Sequence, residues 1–341
     1  MKTIFLAGIA TKLGNEVVTV AQIADHFNIK VEEVTRKSGI TTLRRFDHGQ
    51  TLVATMAHTV HRLLNSVGVD VSKITGIFGS SSFTSATLMP SFTAHAAYEV
   101  GLRDVICDHV GLGCGGGLQA FKSAFNQLVV DASEGRVGRY IVVTGDDIRR
   151  ILDPRDLNTN IFFSDGCAAV LLTNDPALAT GYEVEYARTM AVANGNYGML
   201  EIRSPFSGSL SNPAAGYMTM DGPAILRFIE DVGFRFRALA APRASQLDAG
   251  YFIPHQANFG GLSSSLISTM GLKRELVYTD GIRTVGNLLN SSTFFGLEDA
   301  LKRCLFNRNL PVHLGAFGAE QQVGLVRLIP IRPQRIICTI E

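Results

Sequence analysis

The sequence contains no tryptophan and only five cysteines, none of which forms a C-x-x-C pair. An odd and scattered set of cysteines argues against a disulfide framework and against a zinc site. We therefore expect free thiols, no bound metal and a reducing, cytoplasmic location. The five are Cys107, Cys114, Cys167, Cys304 and Cys338.

The sequence also lacks an excess of charge of either sign and any long apolar run. Lysine plus arginine number 31 and aspartate plus glutamate 30, so a net charge of +1 offers no broad basic surface for nucleic acid or an anionic membrane. No segment approaches the roughly 18 apolar residues that span a bilayer. The opening MKTIFLAGIATKLG has a short apolar run that Lys12 interrupts, and no small-x-small cleavage site follows. We predict a buried first strand there, not a signal peptide.

What the sequence does contain is an alternation of apolar strands and amphipathic helices. With 46% hydrophobic residues among 341, the chain can bury the large core of a globular α/β protein. Apolar residues spaced by three and four from 118 to 132 predict a helix that starts directly after Cys114. We predict a β-hairpin with Ser164-Asp165-Gly166 as its turn, and Asp165 as a structural acceptor within that turn. The strands predicted in this part lie at 73–82, 105–110, 140–146 and 161–173.

A second series of elements follows residue 180 in a similar order. We find no residue-level repeat, so the order of elements alone suggests a duplicated fold. The segment 195–216 is rich in Gly, Ser, Asn and Pro without periodicity, which predicts a long surface excursion near a site. The predicted elements are strand 181–192, helix 225–239, strand 250–254, helices from about 258 and from about 288 to 306, and strands 311–317 and 323–329.

The stretch VICDHVGLGCGGGLQAF, at 105–121, supports two interpretations. Its Gly111, Gly113 and Gly116 complete a G-x-G-x-x-G pattern between a strand and a helix, and Asp146 or Asp147 could then be the ribose-binding carboxylate of a dinucleotide site. That motif alone is frequent in unrelated proteins, and this unit begins a hundred residues into the chain.

The second interpretation makes Cys114 a nucleophile in the first turn of the helix. Unpaired N–H groups and the positive end of the helix dipole favour a thiolate there, and the glycines let a substrate approach the sulfur closely. Two later residues could act with it. His255 in FIPHQAN stands between a strand and a helix, and Asn287 in TVGNLLNSS stands where a helix is predicted to begin. Each has a structural alternative: a small buried cysteine, a core histidine and an asparagine N-cap.

Taken in order, these motifs resemble the thiolase-fold condensing enzymes, and among them the ketoacyl synthase III group of fatty-acid, polyketide and pyrone biosynthesis. The resemblance extends over essentially the whole chain, and P-H-Q-A-N after a reactive-cysteine turn and before G-N is its most specific part. The stretches that carry it are SSSFTSATLMPSFTAHAAYEVGL, GCGGGLQAFKSA, GDDIRRILDPRDLNTNIFFSDGCAAVLL, MTMDGPAILRF, FIPHQAN, VGNLLNSS and GAFGAEQQVGLVRL.

The resemblance implies an α/β thiolase-like fold of two duplicated halves in a five-layered αβαβα arrangement. Residues 1–174 would form the half with the nucleophilic cysteine, and 175–341 the half with the histidine and asparagine. It further implies a homodimeric acyltransferase that uses acyl and malonyl-type thioesters of coenzyme A, or of an acyl carrier protein, and no cofactor.

The resemblance also assigns roles to single residues. Cys114 would accept the acyl group, while His255 and Asn287 would stabilise the enolate formed when a malonyl-type thioester loses carbon dioxide. The backbone N–H groups of Cys114 and Ala319 would form the oxyanion hole. The substrate-binding residues it implies are Arg150 at the adenine of coenzyme A, Arg227 at the pantetheine mouth, and Met89, contributed across the dimer interface to the partner's acyl pocket.

The chain departs from the family pattern in three places. FGGLSSSLISTMGL carries no charge before Lys273, where the family usually has a basic helix for the carrier protein. The tryptophan-type partner of the adenine is absent, and Glu320 with the two following glutamines replaces glycines in the C-terminal turn. These departures favour a specialised pathway. The alternatives are an acyltransferase that passes the acyl group to oxygen or nitrogen, and a non-catalytic binding protein.

Overall fold

The computed structural model describes residues 3–82, 91–111, 113–179, 181–192, 198–202, 216–241, 244–257, 261–307, 309–318 and 321–331. Within these ranges, no helix combines the length and the apolar character needed to cross a membrane.

The strands of the described chain are β1 (Phe5–Leu13), β2 (Glu16–Thr19), β3 (Thr42–Arg45), β4 (Gly76–Ser80), β5 (Ile106–Val110), β6 (Arg139–Asp146), β7 (Gly166–Thr173), β8 (Tyr182–Ala191), β9 (Leu200–Ile202), β10 (Met218–Met220), β11 (Tyr251–Pro254), β12 (Val312–Gly318) and β13 (Gln322–Pro330). The α-helices are α1 (Val20–His26), α2 (Val31–Ser38), α3 (Leu52–Val67), α4 (Phe92–Val100), α5 (Gly116–Ser133), α6 (Leu157–Asn160), α7 (Gly222–Ala240), α8 (Gly261–Met270), α9 (Gly281–Val285) and α10 (Ser292–Lys302). Short 3₁₀ turns include Ile148–Arg150 and Leu289–Ser291.

One nine-stranded sheet organises the molecule, in the order β11-β12-β13-β8-β1-β7-β6-β4-β5. From β1 outward, the pairs β1–β7 and β7–β6 are antiparallel and β6–β4 is parallel. From β8 outward in the other direction, β8–β13 and β13–β12 are antiparallel and β12–β11 is parallel. The same strand pattern therefore occurs twice, and the two copies meet where β1 pairs with β8.

The fifth strand of the pattern differs between the two copies. In the first copy β5 pairs in parallel with β4 along its whole length. In the second, a single parallel bridge between Phe252 and Val277 occupies the equivalent place beside β11. The predicted boundary between residues 174 and 175 falls between β7 and β8, and the division into two domains stays a prediction.

Helices cover the sheet in layers, as the apolar faces of both halves require. The largest apolar cluster joins α5 and α10 to strands of both halves, and Phe121 of α5 stacks on Phe294 of α10 with ring centroids 6.2 Å apart. A second cluster packs α3 and α4 on the first half, and a third packs α7 and α8 on the second. The five-layered αβαβα arrangement is confirmed, with α5 and α10 in its middle layer.

The ends of the helices follow from local sequence. At the start of α7, the Asp221 side chain accepts a hydrogen bond from the Ala224 N–H at 3.0 Å, and a proline occupies the first turn. Thr51 caps α3 in the same way, and Gly68 in left-handed conformation ends it. The first strand, predicted from MKTIFLAGIATKLG, is confirmed as β1 at the centre of the sheet.

Two expectations from the sequence are wrong. The stretch 161–173 is not a hairpin, because Phe163 makes one isolated parallel bridge with Asn287, and β7 starts only at Gly166. Asn287 does not begin a helix either. Gly286 ends α9 with a φ of 71°, and α10 starts at Ser292 after an intervening 3₁₀ turn.

Candidate active site

One cavity of about 440 Å³ opens beside the middle layer, and Cys114, His255 and Asn287 all line it. The remaining wall is almost entirely apolar. Its side chains include Phe163, Met199, Ile225, Leu226, Phe228 and Phe317. Met199 and its neighbour Leu200 belong to the excursion predicted near a site, most of which lies outside the described residues.

Cys114 lies in a tight turn just before α5. The Gly116 N–H donates to the Gly113 carbonyl at 2.9 Å, and Gly115 is the N-cap of α5. The cysteine therefore precedes the first helical turn, and the prediction that it lies within that turn is wrong. Its side chain is largely buried at the cavity wall. A Cβ atom at Gly117 would come within 2.5 Å of the Asn290 carbonyl oxygen. Glycine is needed there because the start of α5 packs directly on the turn that follows Asn287.

His255 follows the last residue of β11, where its backbone N–H donates to the Gly315 carbonyl at 2.6 Å. Only 4% of the residue is exposed, and its ring packs edge-on against Phe317. Burial lowers the pKa of the imidazole from 6.5 to about 3, while a hydrogen bond with the Leu289 backbone acts in the opposite direction. The histidine is therefore neutral at physiological pH, with one ring nitrogen able to donate and the other able to accept.

Asn287 is held on both its backbone and its side chain. Its N–H donates to the Phe162 carbonyl, and its carbonyl accepts from the Ser164 N–H, each at 2.8 Å. Its side-chain Oδ1 accepts from the Leu289 N–H at 2.8 Å and from the Ser292 hydroxyl at 3.3 Å. With the oxygen occupied by two protein donors, the Nδ2 amide group is the part of the side chain left for a ligand. The oxygen of this side chain therefore closes its own turn, while the amide nitrogen remains a donor for a ligand.

Asp165 is fully buried beside this site and joins three segments. It accepts from the backbone N–H of Phe46 at 2.8 Å and of Ile148 at 2.7 Å. The prediction that it accepts from its own turn is wrong. Burial raises its pKa to about 6, against the attraction of Arg45.

Asp146 and Asp147, the candidate ribose-binding carboxylates of the dinucleotide interpretation, both bind other groups of the protein. Asp146 is fully buried and accepts hydrogen bonds from Ser82 and Asn290. Asp147 is 9% exposed and pairs with Arg149, with 3.0 Å between Oδ1 and Nε. Neither presents a free carboxylate beside the glycine turn, so the dinucleotide interpretation is wrong.

Comparison with known proteins agrees with this geometry. A family model for 3-oxoacyl-[acyl-carrier-protein (ACP)] synthase III matches residues 110–187, the region around Cys114. The beta-ketoacyl-[acyl-carrier-protein] synthase III of Serratia proteamaculans is 27% identical over 319 residues, which cover 92% of this chain and 95% of the relative. The chain is therefore similar to ketoacyl synthase III condensing enzymes over nearly its whole length.

Solved structures show that the chain has the thiolase-like fold. The 3-oxoacyl-(acyl carrier protein) synthase III of Pseudomonas aeruginosa superposes with a TM-score of 0.81 at 20% identity, over 96% of this chain and 98% of the other. The priming beta-ketosynthase of the R1128 polyketide pathway superposes with a TM-score of 0.84 at 20% identity, over 97% and 98%. The sequence likeness to the synthases favours an acyl-transferring enzyme over a non-catalytic binding protein.

The other site residues that the sequence suggested fall into two groups. Arg227 is exposed on α7, directly after the cavity residue Leu226. Gly318 lines the cavity, one position before Ala319. Four predicted features lie outside the described residues: Met89, Ala319, Glu320 and the side chain of Arg150.

The aromatic wall of the cavity could not be predicted from the sequence. The sequence pattern places Phe163 and Phe317 in the predicted strands 161–173 and 311–317, and an apolar residue in a strand pattern carries no signal for the cavity it faces. Asn290, buried beneath the turn after Asn287, was also missed. The polar residues clustered in VGNLLNSS could have indicated a hydrogen-bonded turn at Asn290.

Proposed function

We propose that this ketoacyl synthase III-like enzyme forms a carbon–carbon bond by decarboxylative condensation of two thioesters. The observation that carries the proposal is an apolar cavity whose lining includes Cys114, a neutral His255 and Asn287. A nucleophile and two hydrogen-bond donors in one cavity are what acyl capture followed by enolate stabilisation requires.

The first half-reaction would load the enzyme. The Cys114 sulfur attacks the carbonyl carbon of an acyl thioester, and the donor's thiol leaves with the electron pair of the broken C–S bond. The N–H groups of Cys114 and Ala319 remain our proposal for the oxyanion hole, and Gly318 at the cavity wall supports this placement.

The second half-reaction would break one carbon–carbon bond and make another. The malonyl carboxylate leaves as carbon dioxide, and its electron pair becomes an enolate whose oxygen accepts from His255 and from Nδ2 of Asn287. The enolate carbon then attacks the acyl-cysteine carbonyl, and the Cys114 sulfur departs as thiolate. Removing one such donor typically costs on the order of 10²–10³ in rate.

The alternative acyltransferase would pass the acyl group from Cys114 to a hydroxyl or amine without decarboxylation. That reaction needs a base to take the proton of the attacking nucleophile. An imidazole with a pKa near 3 is a weak base at neutral pH but retains its N–H donor. The site therefore favours condensation.

The apolar wall supports thioesters with an aliphatic acyl group as substrates, delivered by coenzyme A or by a carrier protein. Arg227 beside Leu226 fits a cation at the pantetheine mouth, and Arg150 and Met89 keep the roles that the resemblance implies. We favour coenzyme A over a carrier protein because α8 carries no charged residue, whereas the basic helix that docks the carrier protein would be expected at this place.

No cofactor takes part in the proposed chemistry. The departures noted in the sequence support a place in specialised metabolism, in the cytoplasm, where free thiols persist.

We further propose a homodimer formed through the outer edge of β5. This strand lies at the end of the nine-stranded sheet, and its Ile106 is 44% exposed. An exposed apolar edge strand is a surface that a second copy can extend by antiparallel pairing. Light scattering should give twice the chain mass of 36.8 kDa, and Ile106→Lys should lower it. A monomer for the unaltered chain would contradict the proposal.

The experiment that tests the function is a pairwise assay of acyl thioesters against malonyl coenzyme A. We expect one acyl adduct on the intact protein with the donor alone, and a β-ketoacyl product only when both substrates are present. An ester or amide product, with the malonyl thioester left intact, would establish the acyltransferase alternative.

A further inference from the structure

A buried polar cluster lies directly beneath the turn that follows Asn287. At its centre is Asn290, which is 2% exposed. Its Nδ2 donates to the Ser82 hydroxyl at 2.8 Å and to Oδ2 of Asp146 at 3.1 Å, and its Oδ1 accepts from the Ser80 hydroxyl at 3.0 Å. Its backbone N–H donates to the same Asp146 oxygen at 3.2 Å. Every polar group of this side chain is therefore used.

Asp146 is the shared acceptor of the cluster. Besides Asn290, it accepts from the Ser82 N–H at 2.6 Å and from the Ser81 hydroxyl at 3.2 Å. The carboxylate thus ties the end of β6, the segment after β4 and the turn at Asn290 to one point. Because backbone and amide N–H groups can only donate, an acceptor-only carboxylate suits this position.

The cluster connects to both sides of the candidate active site. On one side, the backbone carbonyl of Asn290 packs against Gly117, three residues after Cys114, where no Cβ would fit. On the other, Oδ1 of Asn287 accepts from the N–H of Leu289, the first residue of the same 3₁₀ turn. A shift of this turn would therefore move the enolate donor relative to the nucleophile.

Keeping a carboxylate at this place opposes folding at neutral pH. Burial raises the pKa of Asp146 to about 7, and its hydrogen bonds only partly offset that rise. The titratable group that faces it from the neighbouring strand is Cys167, whose thiol pKa burial and nearby carboxylates raise well above 9. The Asp146 carboxylate lowers stability, yet it makes several directed hydrogen bonds beside the candidate active site. We therefore attribute it to the positioning of the segments that it joins.

We propose that Asp146 and Asn290 are positioning residues, which hold the Leu289–Ser291 turn, and with it Asn287, in register with the Cys114 segment. The inference rests on the proposed function, since it assigns the pair to the decarboxylation step. Neither residue lines the cavity, so neither would contact the reacting atoms.

The test separates the two half-reactions in purified full-length variants. Asp146→Asn places an amide N–H₂ where donors converge, and Asn290→Ala removes the amide without adding a donor. We expect each to lower carbon dioxide release from malonyl coenzyme A by roughly 10-fold to 100-fold, the scale of a misplacement near 1 Å. The rate of Cys114 acylation, followed by intact mass, should stay within about 2-fold because loading needs no enolate donor. The double variant should lose little more than the single ones, since the two residues act together.

Asp131→Asn is the matched control. Asp131 is also buried, accepts from the Tyr140 hydroxyl at 2.6 Å and from Arg136 at 2.7 Å, and lies at the opposite end of α5 from Cys114. It should lower the melting temperature and leave the ratio of the two half-reactions unchanged. The positioning role is overturned if Asp146→Asn and Asn290→Ala behave like this control. In that case the rates of acylation and of decarboxylation would fall together, in proportion to the lost stability. Unchanged decarboxylation in both also overturns it. Asn287→Ala is assayed in parallel: loss of decarboxylation there without loss in the pair overturns only this inference, whereas retention in Asn287→Ala overturns the proposed function as well.

Discussion

The rings of His255 and Phe317 meet edge to face, with centroids 5.2 Å apart and planes at 82°. Phe317 and the rest of the apolar wall exclude water from the imidazole and keep it uncharged. Among the described residues, its Nδ1 has no hydrogen-bond partner that meets the usual distance and angle limits. A neutral imidazole still carries one N–H group, so it can donate a hydrogen bond to an enolate oxygen without placing a positive charge in the cavity.

The neutrality of His255 predicts a pH dependence of stability. Its pKa falls from 6.5 in the unfolded chain to about 3 in the folded one, so between these values only the unfolded chain binds the proton. The stability linked to this group is complete above pH 6.5 and is lost as the pH falls toward 3. His255→Gln does not titrate, so the melting temperature of the native protein relative to this variant should decrease from pH 7 to pH 5. A constant difference would show that the imidazole is charged or solvated.

Acylation should be confined to Cys114 among the five cysteines. Cys167 is buried, with its thiol pKa raised well above 9, and burial also raises the pKa of Cys107. Peptide mass spectrometry after incubation with acyl coenzyme A donors should locate one adduct. Iodoacetamide provides the contrast, since it should also alkylate the exposed Cys304, which lies outside β5. Acyl adducts chiefly on cysteines other than Cys114 would remove Cys114 as the nucleophile.

The mouth of the cavity can be tested with two exposed residues of one helix. Leu226 and Phe234 on α7 are 48% and 64% exposed, but only Leu226 lines the cavity. Leu226→Glu should raise the KM for acyl thioesters by roughly 10-fold, because a carboxylate opposes an aliphatic substrate there. Phe234→Glu is the matched control and should leave KM unchanged. Equal effects of the two substitutions would place the substrate entrance elsewhere.

The raised pKa of Asp146 predicts a pH dependence of stability opposite in sign to that of His255. Its pKa is about 7 in the folded chain against an ordinary 3.8, so between these values only the folded chain holds the proton. The stability linked to the group is complete below pH 3.8 and is lost as the pH rises through 7. The melting temperature of Asp146→Asn relative to the native protein should therefore increase from pH 5 to pH 8. The nearby Asp165 titrates in both proteins and cancels in the difference, so a flat or falling difference would mean that the buried carboxyl is not raised.

The three residues assigned to the chemistry could be predicted from sequence because each stands in a short motif, and the motifs occur in one order. The structure supplies the reason they meet. Cys114 precedes α5 and Asn287 lies just upstream of α10, and both helices occupy the middle layer. The order of the motifs along the chain was therefore enough to group the three residues, although the sequence contains no direct information on the distances between them.

What could not be predicted depends on partners far apart in the chain. Asp146 and Asn290 are 144 positions apart, and single buried polar residues leave no periodic pattern. The run before Ser164 looked like a strand because its apolar residues serve the cavity wall. Gly286 looked like the start of a helix, but its positive φ ends one, and a G-N pair is compatible with either position.

The measurement that tests decarboxylative condensation most directly compares Cys114→Gln with Asn287→Ala, each supplied with an acyl coenzyme A donor and malonyl coenzyme A. Protein mass reports acylation, and released carbon dioxide reports decarboxylation. We expect Cys114→Gln to form no acyl adduct and to retain decarboxylation, since the two donors remain in place. Asn287→Ala should acylate at the native rate and lose decarboxylation by on the order of 10²–10³. Full condensation by Asn287→Ala would contradict the decarboxylative mechanism, and loss of acylation together with decarboxylation would show that Asn287 only maintains the local fold.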